Sequence, residues 1–448
     1  MVTLTDLARQ VFDAGVVGAG GAGFPTYKKL TTGAELLVID AAECEPLLAS
    51  DRFLMRHRAS DIVAGAQAVA QACQIERIVI GTKAHYGREI AELRGAIAGS
   101  PADISIHEMD SFYPAGDEQI LIQEITGRSV PPGGLPMDVG VMNINVATAA
   151  HVSDALAGTP VTRHFVTVTG SVAQPVVVDA PIGTTAADLI GAAGGATVNP
   201  YVIVRGGPMM GKHHPMSEAA TMGYGKADGG LIVLPADHSL VQFVAKPLER
   251  LLHETQSMCI QCMACTNLCP RYLIGHQMRP HRVMRALQNG MNDALTDALL
   301  CSECGICELY SCPMGLSPRR MNVYVKGLLR AQGIGIADRN LYPDHGSEWE
   351  YRHISQSRFI AKWELSDYPT SIDDSVRADP AVVRLATRHG AGQTSKPCVS
   401  IGDQVSIGQV VATVEYGDVG APVHASIEGR VSEVDQSHIT VQREGSGS

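Results

Sequence analysis

Leu4, Leu7, Ala8, Val11 and Phe12 fall at i, i+3, i+4, i+7 and i+8, which predicts an amphipathic helix stopped by Gly15. After a glycine-rich stretch, Gly18 to Gly23, short apolar runs recur around Leu36–Asp40, Arg77–Ile80 and Ile104–His107. Helix-length segments around Asp61–Cys73 and Arg88–Ala98 separate them. Strands alternating with such helices predict a parallel sheet covered on both faces, and this α/β domain is placed at 1–164. From Phe165 the texture shifts. Strands at Phe165–Gly170 and Tyr201–Arg205 flank a short helix at Thr185–Ala193, a small α+β module over 165–240. Residues 245–335 are helical. Residues 336–385 are irregular and rich in Asp, Arg, Tyr and Ser, a connector wrapping another surface. Residues 386–445 read as all-β, with Val405–Val411 and Ala421–Ala425 set between glycine turns.

At 448 residues the chain has room for about three or four domains. Hydrophobic residues at 45% against 18% charged supply several cores and exclude global disorder. A net charge of −11 repels phosphate backbones, so no nucleic-acid partner is expected. No apolar run approaches the roughly 18 residues of a membrane-spanning helix. Met1 to Asp13 lacks the basic and apolar regions of a secretory signal. The final Gly445–Ser448 reads as a linker-like tail, outside the fold.

Of 11 cysteines, eight crowd into two runs, which suits metal ligation in a reducing cytosol better than a disulfide framework. The first is Cys259-x2-Cys262-x2-Cys265-x3-Cys269-Pro; the second is Cys301-x2-Cys304-x2-Cys307-x4-Cys312-Pro. Three cysteines at two-residue gaps wrap a cuboidal cluster, while the fourth, on the outgoing segment, points away and can ligate the other cluster. The expected sets are Cys259, Cys262, Cys265 with Cys312, and Cys301, Cys304, Cys307 with Cys269. Tetrahedral zinc, the alternative, does not need three cysteines within seven residues. The extra residue before Cys312 predicts a local bulge at Tyr310-Ser311. Cys73, on a helix face, reads as core.

Two further features carry chemistry. Gly18-x-Gly20-Gly21-x-Gly23 fits a phosphate-binding glycine loop, but a helix precedes it instead of a strand; bare amides followed by Lys28 and Lys29 form an anion cradle. Asp40, Glu43 and Glu45 lie at the carboxyl end of the first predicted strand, the edge where open α/β sheets bind ligands.

Gly20-Gly21-Ala22-Gly23-Phe24-Pro25-Thr26 with Lys29 resembles the FMN- and NADH-binding loop of the flavoprotein subunit of respiratory complex I. With Ala42-Glu43-Cys44-Glu45-Pro46, Tyr113-Pro114-x-Gly116-Asp117-Glu118-Gln119 and Asn145-Val146-Ala147-Thr148, the chain is similar to the C subunit of the Rnf electron-transport complex over about residues 8–330. The resemblance implies a multidomain α/β protein. Its parts are a Rossmann-like FMN/NADH domain, a β-grasp (SLBB) module, a helical two-[4Fe–4S] ferredoxin-like domain and a C-terminal barrel-sandwich hybrid. It implies that Gly18, Gly20, Gly21, Gly23 and Lys29 hold the FMN phosphate and flank its ring. Asp40, Glu43, Gly116, Asn145 and Thr148 would contact ribityl and ring, and Phe24, Glu45 and Glu118 the nicotinamide of NADH. Asp40 stands where the family carries Asn and Ala42 where the complex I protein carries Asp. A carboxylate there disfavours the anionic reduced flavin unless it is protonated.

In the Rnf protein the sandwich precedes the glycine loop; here it comes last. That order resembles the cobalamin reductases of propanediol-utilisation microcompartments. The implied function is NADH-dependent reduction of cobalamin, from Co(III) through Co(II) to Co(I). The implied partner is a cobalamin adenosyltransferase, with shell proteins as further partners and a cytoplasmic location inside a microcompartment. An Rnf-type NADH:ferredoxin oxidoreductase and a non-enzymatic electron relay are the alternatives. The hairpin tip Thr413–Gly420 has no lysine to carry lipoate, so the sandwich is expected to be scaffold.

Overall fold

The computed structural model describes residues 2–290, 294–337, 339–342 and 348–444; the Gly445–Ser448 tail lies outside them. The chain opens with helix α1 (Leu4–Asp13), whose Thr3 cap accepts the Asp6 amide and whose apolar stripe is buried. A four-stranded, all-parallel sheet follows, built from β1 (Leu36–Ala41), β2 (Arg77–Lys83), β3 (Asp103–Met109) and β4 (Val141–Asn145) in the order β3-β2-β1-β4. Helices α2 (Ser50–His57), α3 (Ala59–Cys73), α4 (Gly87–Ala98), α5 (Glu118–Thr126) and α6 (Val146–Leu156) connect and cover it. Leu37, Val38 and Ile39 are fully buried, so both faces of β1 are covered, as its continuous apolar run predicts. Strand order reverses between β1 and β4, which opens a crevice at their carboxyl ends. There Asp40 registers opposite Asn145. Cys73 packs in the core of this domain.

The next unit contains β5 (Arg163–Gly170), β6 (Val176–Pro181), α7 (Ala186–Ala192), β7 (Tyr201–Arg205), β8 (Lys212–Pro215) and β9 (Gly230–Pro235). The cysteine-bearing unit is helical: α8 (Ser239–Val244), α9 (Leu248–Met258), α10 (Ala264–Asn267), α11 (Pro270–Leu273), α12 (Pro280–Asn289) and α13 (Pro318–Ala331).

The segment 336–385 is more structured than its composition predicts. Its helix α14 (Gln356–Lys362) packs beside the second cysteine run, and β10 (Ser375–Arg377) adds in parallel to β6, giving a six-stranded sheet. Strand β11 (Val382–Ala386) already belongs to the terminal sandwich, pairing with His438–Gln442. All of β10 is exposed, so no buried face marked it in the sequence. The sandwich itself is a four-stranded and a three-stranded sheet closing on Val383, Leu385, Val411, Val431, Ile439 and Val441. Its hairpin tip is pinned: Tyr416 packs against Phe12 and Tyr27 with ring centroids 5.2 and 5.3 Å apart, and the Tyr27 hydroxyl donates to the Asp418 carbonyl. An arm held this way does not swing.

Candidate functional site

The crevice between β1 and β4 gathers most of the residues expected there. Asn145 caps α6 by accepting the Ala147 amide at 2.8 Å, and its Nδ2 donates to Asp51 at 2.8 Å. The glycine loop lies across this helix end, with the Ala19 amide donating to Thr148 Oγ1 at 3.0 Å. A β-carbon added to Gly20 would come to 3.5 Å from Asn145, while one on Gly21 (φ +102°) would meet nothing, leaving open space above its backbone. Exposed amides over a helix N-terminus are an anion site. Lys29 reaches the same place, donating to Glu118 at 3.2 Å and the Asn143 carbonyl at 3.3 Å. The buried Asn143 side-chain amide has no partner of its own, a donor left free at the rim of the crevice. An orphaned amide, open backbone donors and a lysine fit a phosphate-bearing flavin.

The glycine loop is braced from outside its domain. The Ala391 amide donates to the Ala22 carbonyl at 3.0 Å, and a β-carbon on Gly390 would lie 2.0 Å from that oxygen. The sandwich thus fixes the loop's curvature.

A carboxyl cluster lines the floor. Burial, reinforced by Asp51, pushes Asp40 up to about 7; Asp51 itself is pushed by burial to about 6. Burial likewise raises Glu43 well above its ordinary value, with Asp51 adding to the effect. Lys83, fully buried at the end of β2, donates to the Glu43 carbonyl at 2.7 Å and offsets part of the negative charge. Asp40 therefore keeps its proton in about half of the molecules at pH 7 and in most of them below it, and the protonated form is the one in which a carboxyl at this position tolerates a reduced flavin. Asp51, Lys83 and Asn143 were not singled out from the sequence. Lys83 alone left a signal, a charge ending an apolar strand.

Glu45 is engaged elsewhere. Its two oxygens accept the amides of Met209 and Met210 at 2.8 and 2.9 Å. A side chain on Gly207 would overlap Glu45 at 2.2 Å. The loop Arg205–Gly211 is thereby latched to the first domain. Burial raises Glu45 to about 7, with those two amides pulling the other way. Met209 is buried and Met210 half exposed. Phe24 is half-buried beside the glycine loop, and Gly116 packs against the Ala42 carbonyl and Asp40.

The cysteines converge in two groups. Cys259, Cys262, Cys265 and Cys312 line one small cavity; Cys269, Cys301, Cys304 and Cys307 line another. Each cavity takes three thiols from one run and the last from the other. Among the described residues, no group of three or more His, Cys, Asp or Glu is arranged to hold a single metal ion. Four thiols converging in each site, three of them from one closely spaced run, fit a cuboidal iron–sulfur group. Both loops use the same backbone: Gln261 and Glu303 before the second cysteine, and Met263 and Gly305 after it, have φ of +57°, +65°, +65° and +85°. These left-handed turns direct thiols and amides inward. Gln261 Nε2 donates to Cys259 Sγ at 3.2 Å, and the Glu303 and Leu316 amides to Cys301 and Cys312 Sγ, each at 3.4 Å.

The extra residue before Cys312 is absorbed as a π-bulge that takes in Tyr310 and Ser311, where the spacing predicts a bulge. Ile306–Ser311 forms a π-helical turn, which accommodates one more residue than an α-turn. Its carbonyls are taken by α14 and the residue after it: Trp363 Nε1 donates to Leu309 O at 2.7 Å and Lys362 Nζ to Tyr310 O at 2.9 Å.

Two bonds join the flavin-side loop to the second cavity. The Tyr113 hydroxyl donates to the Cys304 carbonyl at 2.7 Å, and Arg271, two residues past Cys269, pairs with Asp117 at 2.9 Å.

Comparison with known proteins agrees with this arrangement. Residues 11–154 match the Nuo51 FMN-binding domain, 165–212 the SLBB domain, 258–317 a 4Fe-4S dicluster domain and 371–446 the RnfC barrel-sandwich hybrid domain. The chain thus carries an FMN-binding and a dicluster unit. Among solved structures, a chain of an NAD+-reducing [NiFe]-hydrogenase in the H2-reduced state shares the fold at a TM-score of 0.50 and 22% identity, covering 75% of this chain and 63% of that one. The C subunit of the ion-translocating oxidoreductase complex of Erwinia tasmaniensis is 36% identical over 62% of this chain and 33% of its own length. Cobalamin reductase PduS of Citrobacter freundii is 40% identical over 98% of this chain and 96% of its own. No helix among the described residues is long and apolar enough to cross a membrane. With shared domain order and nearly complete mutual coverage, the chain belongs to the PduS cobalamin reductase family.

Proposed function

We propose that this protein is an NADH-dependent cobalamin reductase, carrying electrons through FMN and two [4Fe–4S] clusters to a corrinoid. When bound, FMN would supply the chemistry that accepts one hydride, two electrons, from NADH and delivers the electrons one at a time through iron–sulfur centres to cobalt. The residues divide the remaining work. Gly18, Gly20, Gly21, Gly23 and the α6 N-terminus seat the phosphate, with Lys29 turning from Glu118 toward it. Asn143, Asn145, Thr148, Asp40, Glu43 and Gly116 border ribityl and ring. Phe24 and Glu118 face the nicotinamide. Glu45 acts as a latch between domains. Cys259, Cys262, Cys265 and Cys312 hold one cluster; Cys269, Cys301, Cys304 and Cys307 hold the other. The acceptor's next partner is a cobalamin adenosyltransferase, which consumes Co(I) before oxidants reach it, inside a microcompartment with its shell proteins.

The observation that carries this reading is the bond from Tyr113, on the loop beside Asp40 and Gly116, to the main chain of a cluster cysteine. Flavin-side and cluster-side machinery share one packed boundary. Steady-state NADH oxidation by the anaerobic holoenzyme tests it: hydroxocobalamin should sustain turnover and accumulate cob(II)alamin. Oxidation of NADH with ferricyanide but never with cobalamin would overturn it.

A further inference from the structure

Beside the second thiol cavity lies a cleft that none of the assigned roles uses. It opens between the β7–β8 hairpin and the first turns of α13, with a volume of about 560 Å³, within the range of about 300–1,000 Å³ usual for small-molecule sites. Val241 and Val323 form part of its apolar wall, and Lys212, His213, Glu303, Arg319 and Arg320 supply polar groups. Arg319 also lines the cavity of Cys269, Cys301, Cys304 and Cys307, so its side chain borders both spaces. It is fixed there by Glu308 at 2.7 Å and the Met209 carbonyl at 2.8 Å.

We propose that this cleft is the binding site of the corrinoid acceptor, resting on the reductase reading given above. His213 Nδ1 is buried with no hydrogen-bond partner, a standing cost unless a ligand completes it; His214, next on the strand, turns to the other face, where its Nδ1 bonds Glu218 at 2.8 Å. Burial, helped by Arg319, holds His213 down to about 4, so its ring is neutral and can accept as well as donate. A corrinoid matches this lining: apolar macrocycle edges, a rim of propionamides that donate and accept, and one anionic phosphodiester. The valines take the edges, His213 an amide, and exposed Lys212 the phosphodiester. The molecule exceeds the cleft, so part of its rim stays in solvent. A larger opening of about 630 Å³ at Pro200 and Pro235 carries one charge, Asp237, and borders no cysteine.

The test is anaerobic binding of cob(II)alamin and of cobinamide, which lacks the phosphodiester and base, to holoenzyme of measured flavin and iron content. Val323→Trp, which fills the cleft from an exposed position, should weaken cob(II)alamin binding about tenfold or more. Lys212→Glu should weaken cob(II)alamin but not cobinamide. If both variants bind and reduce cobalamin as the parent does, the site assignment fails while the reductase reading stands. If the parent itself neither binds nor reduces cobalamin, that reading fails and takes the site with it.

Discussion

The hydroxyl of Tyr113 donates to the carbonyl of Cys304 at 2.7 Å, bridging 191 residues of chain and two domains. Both groups are buried, so removing the donor strands a carbonyl. Tyr113→Phe should cost about 1–3 kcal/mol, seen as a lower Tm at unchanged flavin and iron content. An unaltered Tm would mean the bond contributes nothing.

The exchanged fourth ligands make a prediction about additivity. Cys312 follows the second run but lines the cavity of the first. Cys312→Ala combined with Cys259→Ala should lose no more iron than either alone, because one site is emptied twice. Cys312→Ala combined with Cys301→Ala should empty both. Flavin should persist throughout, since its crevice lies in another domain. Additive loss in the first pair would contradict the exchange.

The cleft lies beside the cavity of Cys269, the same cavity that meets the flavin-side loop. Cys269→Ala should therefore abolish NADH-driven cobalamin reduction. Cys312→Ala should leave slower turnover, the lost site serving to hold the second electron of each pair. Steady-state rates at matched flavin content decide this.

Asp40 sits at about 7 in the folded chain against 3.8 ordinarily. The folded state keeps the proton across that window, so stability falls as pH rises through it. Asp51 and Glu45, raised to about 6 and 7, slope the same way. Asp40→Asn cannot charge and should raise Tm more at pH 8 than at pH 5. A gain confined to pH 5 would refute the assignment of a protonated Asp40.

Gly390 tests the brace on the glycine loop. A β-carbon there would overlap the Ala22 carbonyl at 2.0 Å, a contact no rotamer relieves. Gly390→Ala should weaken FMN binding about tenfold or more, measured by flavin fluorescence, with both clusters retained.

How much of this was legible in the sequence follows from the range of each signal. The α1 stripe, the buried run of β1 and the cysteine spacings are local patterns, and each maps onto an observed feature. The exchange of Cys269 and Cys312 could be read because spacing alone sets which way a fourth thiol points. A bulge at Tyr310-Ser311 could be read from the insertion, but its π-helical form could not: only Trp363 and Lys362, some 50 residues on, determine how its carbonyls are satisfied. Glu45 read as a ligand-facing carboxylate because its partners, Met209 and Met210, lie in another domain. Asp51 comes from α2 to Asn145 and Lys83 from β2 to Glu43, contacts between segments distant in sequence that no local pattern announces. The sandwich's grip on Phe12 and Tyr27 also shows why it can stand last in this chain: its position is set by contact with the first domain, not by order along the sequence.

The central claim is that two electrons enter together as one hydride and leave singly. An anaerobic single-turnover titration tests it most directly, with limiting NADH added to holoenzyme and excess hydroxocobalamin and cob(II)alamin counted by its EPR signal. The account predicts two cob(II)alamin formed for each NADH consumed. NADH consumed with flavin and clusters reduced, yet no cob(II)alamin formed, would contradict it.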